Sequence, residues 1–327
     1  MIKVSHPCRI LLLFNPLIVS TIEYGGILSI MCLGLTVTYQ TTRVPNFAFA
    51  DFAVLGMNAS YFTFILFHLS STYLSLPFGF LAGGAFSVTM YLLVMRPLIR
   101  KNSSIVVLMI ATLAVDIVFT GVAENIAYVG TAIYGKEFIH AGFPTLLDAA
   151  PLPDVRVLGQ EGLLILSPAL LIVTTTAMYL LLTKSKFGIA MRASIENPNL
   201  AKTVGINVER IYLTSWFIAG GLAGMAGSLF TVWDGMALGI QSTLILDIFG
   251  GSVLGGLSSI YGAVAGGLLV AFTENYILGE LSINVSPTFG LLETGGASMI
   301  VLIITLLVAP RGIVGINWKR LRPGEHR

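Results

Sequence analysis

KSKFGIAMRASIENPNLAKTVGINVER, Lys184–Arg210, is a polar island between two apolar runs, Gly162–Leu182 and Ile211–Val232. Each run is long enough to cross a bilayer, which takes about 20 residues of helix. Within the island, Asn197-Pro198 reads as an N-cap followed by proline at the first helical position, and Gly205 as a left-handed stop. The spacing predicts a helix over Pro198–Val204, preceded by another around Gly188–Ile195. Lys184, Lys186, Arg192, Lys202 and Arg210 outnumber Glu196 and Glu209, and such an excess marks the cytoplasmic side of a membrane protein. Two readings stay open for the island: a solvated basic loop, or a docking element for a cytoplasmic partner.

Working outward, the chain of 327 residues is 55% hydrophobic and only 10% charged, with mean hydropathy +0.88. Soluble domains carry about 25% charged residues, so most of this chain lies in lipid. Its apolar runs are continuous, unlike the alternating strands of a membrane β-barrel. The reading is an all-α, polytopic transmembrane helical bundle of about eight to ten spans. Cys8 and Cys32 are too few for a disulfide framework or a metal cluster. None of His6, His68, His140 and His326 sits in a metal-binding helix pattern. There is no G-x-S-x-G elbow and no glycine-rich loop ending in Gly-Lys-Ser/Thr. Catalytic residues, metal ligands and nucleic-acid partners are therefore not expected, although a membrane enzyme with an unusual site stays open.

In order, the first run, Ile10–Val19, is short and interrupted by Asn15-Pro16. It follows Lys3 and Arg9, but no clean small-residue cleavage site follows it. Spans are then expected over Gly25–Tyr39 with an upstream extension, Phe47–Leu69 and Tyr73–Met95. A basic turn, Arg96–Lys101, comes next, then a helix from Ile105 towards Tyr128 and a polar segment over Tyr134–Glu161. Thr243–Leu278 reads as two helices joined near Ser258-Ser259, and Thr294–Val308 as the last span. Alternation puts Arg43, Arg96–Lys101, the island and the tail Arg311–Arg327 on one side, the cytoplasm. Glu137, Asp148, Asp154, Asp234 and Glu280 gather opposite.

Small residues four apart let membrane helices approach closely. Gly220 and Gly224, Gly251 and Gly255, and Gly262 and Gly266 are such pairs, and they read either as plain packing or as part of a pathway. Charges within spans cost several kcal/mol unless paired or hydrated. Asp51, Asp116, Asp247 and Glu274 are the acids concerned. Asp51 and Asp247 fall near predicted span ends and read as headgroup-zone residues. Asp116, mid-span, and Glu274, beside Asn275, are the better candidates for a polar lining, with Asn46 at a polar break.

GIAMRASIENPNLAKTVGINVERIY resembles the cytoplasmic loop of branched-chain amino acid ABC transporter permeases, whose pattern is roughly G-x-A-x-R-A, N-x-x-x-A, G-I. The matching residues are Gly188, Ala190, Arg192 and Ala193, then Asn197 and Ala201, then Gly205 and Ile206. Gly34–Gly56, Val253–Gly267 and Ala309–Gly315 are similar to three further blocks of that family, in the same order. Two departures stand out: Phe49-Ala50-Asp51 replaces a frequent His-Gly-Glu, and Asp247 lies where many members are apolar or basic.

The resemblance implies one permease domain over residues 1–327, in the cell (plasma or inner) membrane, with a coupling loop at 184–210. It implies passage of branched-chain or other small amino acids between this chain and a second permease, identical or sibling. The implied partners are cytoplasmic ATP-binding subunits, which carry the ATP, and an extracytoplasmic solute-binding protein. ATPase coupling would fall to Gly188, Arg192, Ala193, Glu196, Asn197, Ala201 and Gly205, with Arg192 and Glu196 spaced for an i,i+4 pair. Pathway lining, read from the polar groups within or near spans and not from the family's motifs, would fall to Asn46, Asp51, Asp116 and Glu274. Two alternatives remain: a same-family permease for urea, an amide or a sugar, and a gradient-driven secondary transporter, which needs convergent acids at broken helix ends.

Overall fold

The computed structural model describes residues 15–140, 145–146, 148–157, 160–285, 296–308 and 312–313. Residues 10–14 of the first apolar run, Thr294 and the tail after residue 313 lie outside these.

The first helix, α1 (Pro16–Thr42), begins at the dipeptide expected to interrupt it. The Leu17 N–H donates to Asn15 Oδ1 at 3.1 Å, so Asn15-Pro16 is a helix start, by the same physics as Asn197-Pro198. The second, α2, runs Phe49–Leu66. The third span corrects the expected Arg96–Lys101 turn: α3 (Leu76–Met90) passes through a π segment, Tyr91–Met95, into α4 (Arg96–Arg100). A widened turn ahead of Pro97 relieves the clash that its ring makes with a regular preceding turn. Next, α5 (Ile105–His140) outruns its expected end and contains one non-helical residue, Tyr134. The expected polar segment is thus helical in its first part. Beyond it, β1 (Arg156–Val157) pairs antiparallel with β2 (Gln160–Glu161).

The island folds as α7 (Lys186–Glu196) and α8 (Pro198–Thr203), between α6 (Gly162–Thr183) and α9 (Val208–Trp233). After them come α10 (Ile240–Gly255), α11 (Ile260–Ala271), which continues through a second π segment into α12 (Gly279–Asn284), and α13 (Gly296–Val308). Among the described residues, seven helical runs are long and apolar enough to cross a membrane, and two shorter ones, α10 and 298–307, are apolar as well.

The core forms around α9, which packs on α1, α2 and α3. In its most apolar stretch 83% of residues are buried, against 17% for α5, so α9 is central and α5 is rim. Close approach explains the centre. A Cβ on Gly224 would run into the Gly79 carbonyl, and one on Gly56 into the Gly224 backbone. Gly220 meets Gly83 and Ser87 in the same seam, while Gly251, Gly255, Gly262 and Gly266 bring α10 against α11. Without a hydrophobic drive between helices in lipid, such backbone contact is a main source of attraction.

The bundle has two distinct faces. Arg43 ends α1, Arg96 and Arg100 both pair with Glu209 at the start of α9, and Gln40 bonds the Ser258 carbonyl at the α10–α11 turn. These mark a basic face shared with α7 and α8. Opposite lie Glu280, bonded by Asn15, and Asp154, bonded by the Tyr73 hydroxyl. Near them the Ala149–Met236 bridge ties the loop after α5 to the end of α9.

Candidate functional site

On the basic face, α7 and α8 form a rigid handle. Gly188 is pressed against the last turn of α6, where a Cβ would meet the Leu182 carbonyl. Arg192 Nη1 donates to that same carbonyl at 2.6 Å, placing a cation at the negative end of α6. The expected Arg192–Glu196 pair does not form among the described ion pairs, because the α6 carbonyl takes the guanidinium. Ala193 accepts the Asn197 N–H at 3.1 Å. Asn197 Oδ1 in turn accepts from Asn199 N and Leu200 N, at 3.1 and 3.0 Å.

Ala201, buried, accepts from Ile206 at 3.0 Å, and Gly205 turns the chain with φ +85°. Asn207 Oδ1 caps α9 by accepting from Arg210 N. Sequence reasoning missed Ile189, Leu200 and Val204, which are 59, 62 and 70% exposed. Their signal was there, as apolar residues inside a polar island. Behind the handle, Arg43, Arg192, Glu196 and Gln40 line a groove of about 330 Å³.

The four candidate acids separate into two pairs, buried Asp51 with partly exposed Asp116 and Asp247 with Glu274, both buried. Asp51 is fully buried and not in the headgroup zone. The reason lies in the helix before it. Phe49 packs on Gly34, eight residues or about 12 Å of rise before the end of α1. The chain therefore re-enters the bundle after Arg43, and α2 starts deep inside. Buried Asn46 sits in this re-entrant turn and accepts the Ala48 N–H at 3.2 Å.

Thr120 Oγ1 donates to Asp51 Oδ1 at 3.2 Å, and Gln241 Nε2 donates to Thr120 Oγ1 at 3.2 Å. Asp51 Oδ2 accepts no hydrogen bond, since its neighbour is the Asp116 carboxyl. Asp116, Thr120 and Glu124, four apart, share one partly exposed stripe of α5. Sequence reasoning missed Glu124, Thr120 and Gln241. The spacing was available for the first two, but Gln241 needed the fold.

Glu274 stands elsewhere. It pairs with Asp247, which is 2% exposed in mid-α10 and also not in the headgroup zone. Tyr24 donates to Asp247 Oδ2 at 2.6 Å, and Ser298 donates to Glu274 Oε1 through its N–H and hydroxyl at 3.2 and 2.5 Å. Gln241 and Asp247 lie on different sides of α10, so one helix separates the two acid pairs. No three His, Cys, Asp or Glu residues among those described converge as metal ligands would.

A bundle of apolar helices with carboxyl pairs inside and a capped handle on one basic face defines a polytopic membrane protein with a polar interior. The chain belongs to the branched-chain amino acid transport system permease component family, whose model matches residues 17–310. It is 39% identical to a probable branched-chain amino acid transport permease protein, LivH, of Methanocaldococcus jannaschii, over 92% of both chains. It is 27% identical to the high-affinity branched-chain amino acid permease protein BraD of Pseudomonas aeruginosa, over 91% of this chain and 94% of that one. A galactofuranose transporter permease protein, YtfT of Escherichia coli, is 25% identical over 76% of this chain and 69% of its own. No solved structure matches.

Proposed function

We propose that the chain is the permease subunit of an ATP-driven importer, and that its solutes are branched-chain or other small amino acids. The relatives' names support the solute class, and the family supports transport over catalysis. The basic face then faces the cytoplasm, by the excess of Lys and Arg there, and the C-terminal tail lies with it. Cytoplasmic ATP-binding subunits grip the handle and carry the nucleotide. An extracytoplasmic binding protein delivers solute to the acidic face.

A second permease, identical or sibling, covers the outer side of α5. Charged groups at a lipid-facing surface are costly, and the Asp116–Glu124 stripe makes sense as a wetted wall between two permeases. Asp51 and Gln241 back that wall through Thr120.

One observation carries the reading. The handle exposes Leu200 and Val204 on a helix that is capped at its start and turned sharply at its end. Its neighbour α7 is bolted to α6 by Arg192, so a push on the handle moves whole spans as rigid bodies. The test is cross-linking from Leu200→Cys or Val204→Cys in the assembled complex, together with leucine uptake into vesicles. Cross-links to an ATP-binding subunit and ATP-dependent uptake are expected. Uptake by the permease alone that collapses with an ionophore would instead establish a gradient-driven carrier. The galactofuranose relative keeps a sugar as the second solute reading, and competition of uptake by a pentose or hexose would favour it.

A further inference from the structure

A cavity of about 370 Å³ lies beside the second acid pair, lined by Tyr24, Phe230, Trp233, Asp234, Asp247 and Glu274 among others. Its floor is carboxyl. Asp247 Oδ1 is buried and accepts no hydrogen bond, while Glu274 lies against it. Both groups are acceptors when ionised, so either a proton shared between them or a bound donor bridges the pair. Its walls are aromatic. Tyr24 and Trp233 stack at 4.6 Å, and Phe230 meets Trp233 edge-on at 5.1 Å. Ring faces and carboxylates together attract one kind of ligand, a cation with an apolar body. Its rim is Asp234, exposed on the acidic face at the end of α9, a further negative charge where a cation would enter.

We propose that this cavity is a binding site for a primary ammonium group, whose three donors satisfy Asp247 Oδ1 and the Glu274 carboxyl while its alkyl chain lies against Tyr24, Phe230 and Trp233. The site lies within one chain and across α10 from the Asp51–Asp116 pair. Two sources present this chemistry: a simple alkylamine, and the α-ammonium of an amino acid. The inference deepens the proposed function, since an amino acid in transit would be held by its ammonium end. It rests on that reading only for the zwitterion.

The test is direct binding to the full chain in lipid nanodiscs, by calorimetry, with no ATP-binding subunit present. Isoamylamine, leucine and isocaproate share one alkyl skeleton and carry the ammonium, both charges, and the carboxylate. Isoamylamine is expected to bind and isocaproate not to. Leucine binding as well would assign the site to the transported solute, and its failure beside isoamylamine would assign it to free amines. Asp247→Asn should weaken isoamylamine roughly tenfold to a hundredfold, as expected for losing a charged hydrogen bond.

Equal binding of isoamylamine and isocaproate, or no binding of isoamylamine, would overturn the site and leave the acid pair holding only a shared proton. This comparison needs no variant, so it stands even if Asp247→Asn misfolds. Failure here would leave the ATP-driven reading intact, because that reading is tested by cross-linking at the handle.

Discussion

Asn197 does two jobs, ending α7 through its backbone N–H and capping α8 through its side chain, and its carboxamide is the cheapest place to loosen the handle. Asn197→Ala should cost about 1 kcal/mol of local helix stability and lower transport-coupled ATPase activity, with membrane insertion and expression unchanged. Gly205→Val should act the same way. Nothing crowds a Cβ there, but φ is +85°, which a β-branched residue resists.

Asp234 offers a pH readout on the other face. The cavity wall partly desolvates its carboxyl and raises it above the ordinary aspartate range. The folded chain then takes up a proton more readily than the unfolded one, so stability rises as pH falls through that raised value. Asp234→Asn should remove this acid-side gain, seen as a flatter profile of unfolding temperature against pH. Of these residues, Asn197 and Gly205 were legible in the sequence because capping is a local matter. Arg192's partner was not, because a carbonyl ten residues back competes with an i,i+4 carboxylate only once α7 has folded onto α6.

Among the elements, α9 is the one that tolerates least. Its glycines admit α2 and α3 at backbone contact, so Gly224→Ala should overpack the seam. It should cost roughly 1–3 kcal/mol, measured as a lower unfolding temperature in detergent and weaker recovery of folded protein. Small-residue spacing announced that α9 packs closely, yet it did not say against which helices. Span ends were misjudged where their boundary signals had two meanings. Asn-Pro was read as a break at Asn15 and as a cap at Asn197, and it is a cap in both places. At Pro97 the helix continued because a π segment made room for the ring, which composition does not announce.

At the scale of the molecule, Glu209 joins the third span to the first turn of α9 through Arg96 and Arg100, directly beyond the handle. These groups are partly exposed, so the pairs contribute at most about 1 kcal/mol to stability. Their use would be mechanical, carrying a displacement of the handle into α3 and α4. Glu209→Gln should leave the unfolding temperature nearly unchanged and reduce solute moved per ATP hydrolysed, measured side by side in vesicles. An equal fall in both, or in neither, would remove Glu209 from the coupling route.

The chain's oily composition, the length of its apolar runs, the lopsided placement of Lys and Arg, and the caps of the island were settled by sequence alone. Each depends on a residue and its near neighbours, or on the solvent that a run of residues prefers. Tertiary structure alone decided that Asp51 and Asp247 lie inside, that the four acids make two pairs on either side of α10, and that α9 is the axis. Those facts depend on how far the chain re-enters after Arg43 and on which backbones touch, and hydropathy and spacing do not encode either.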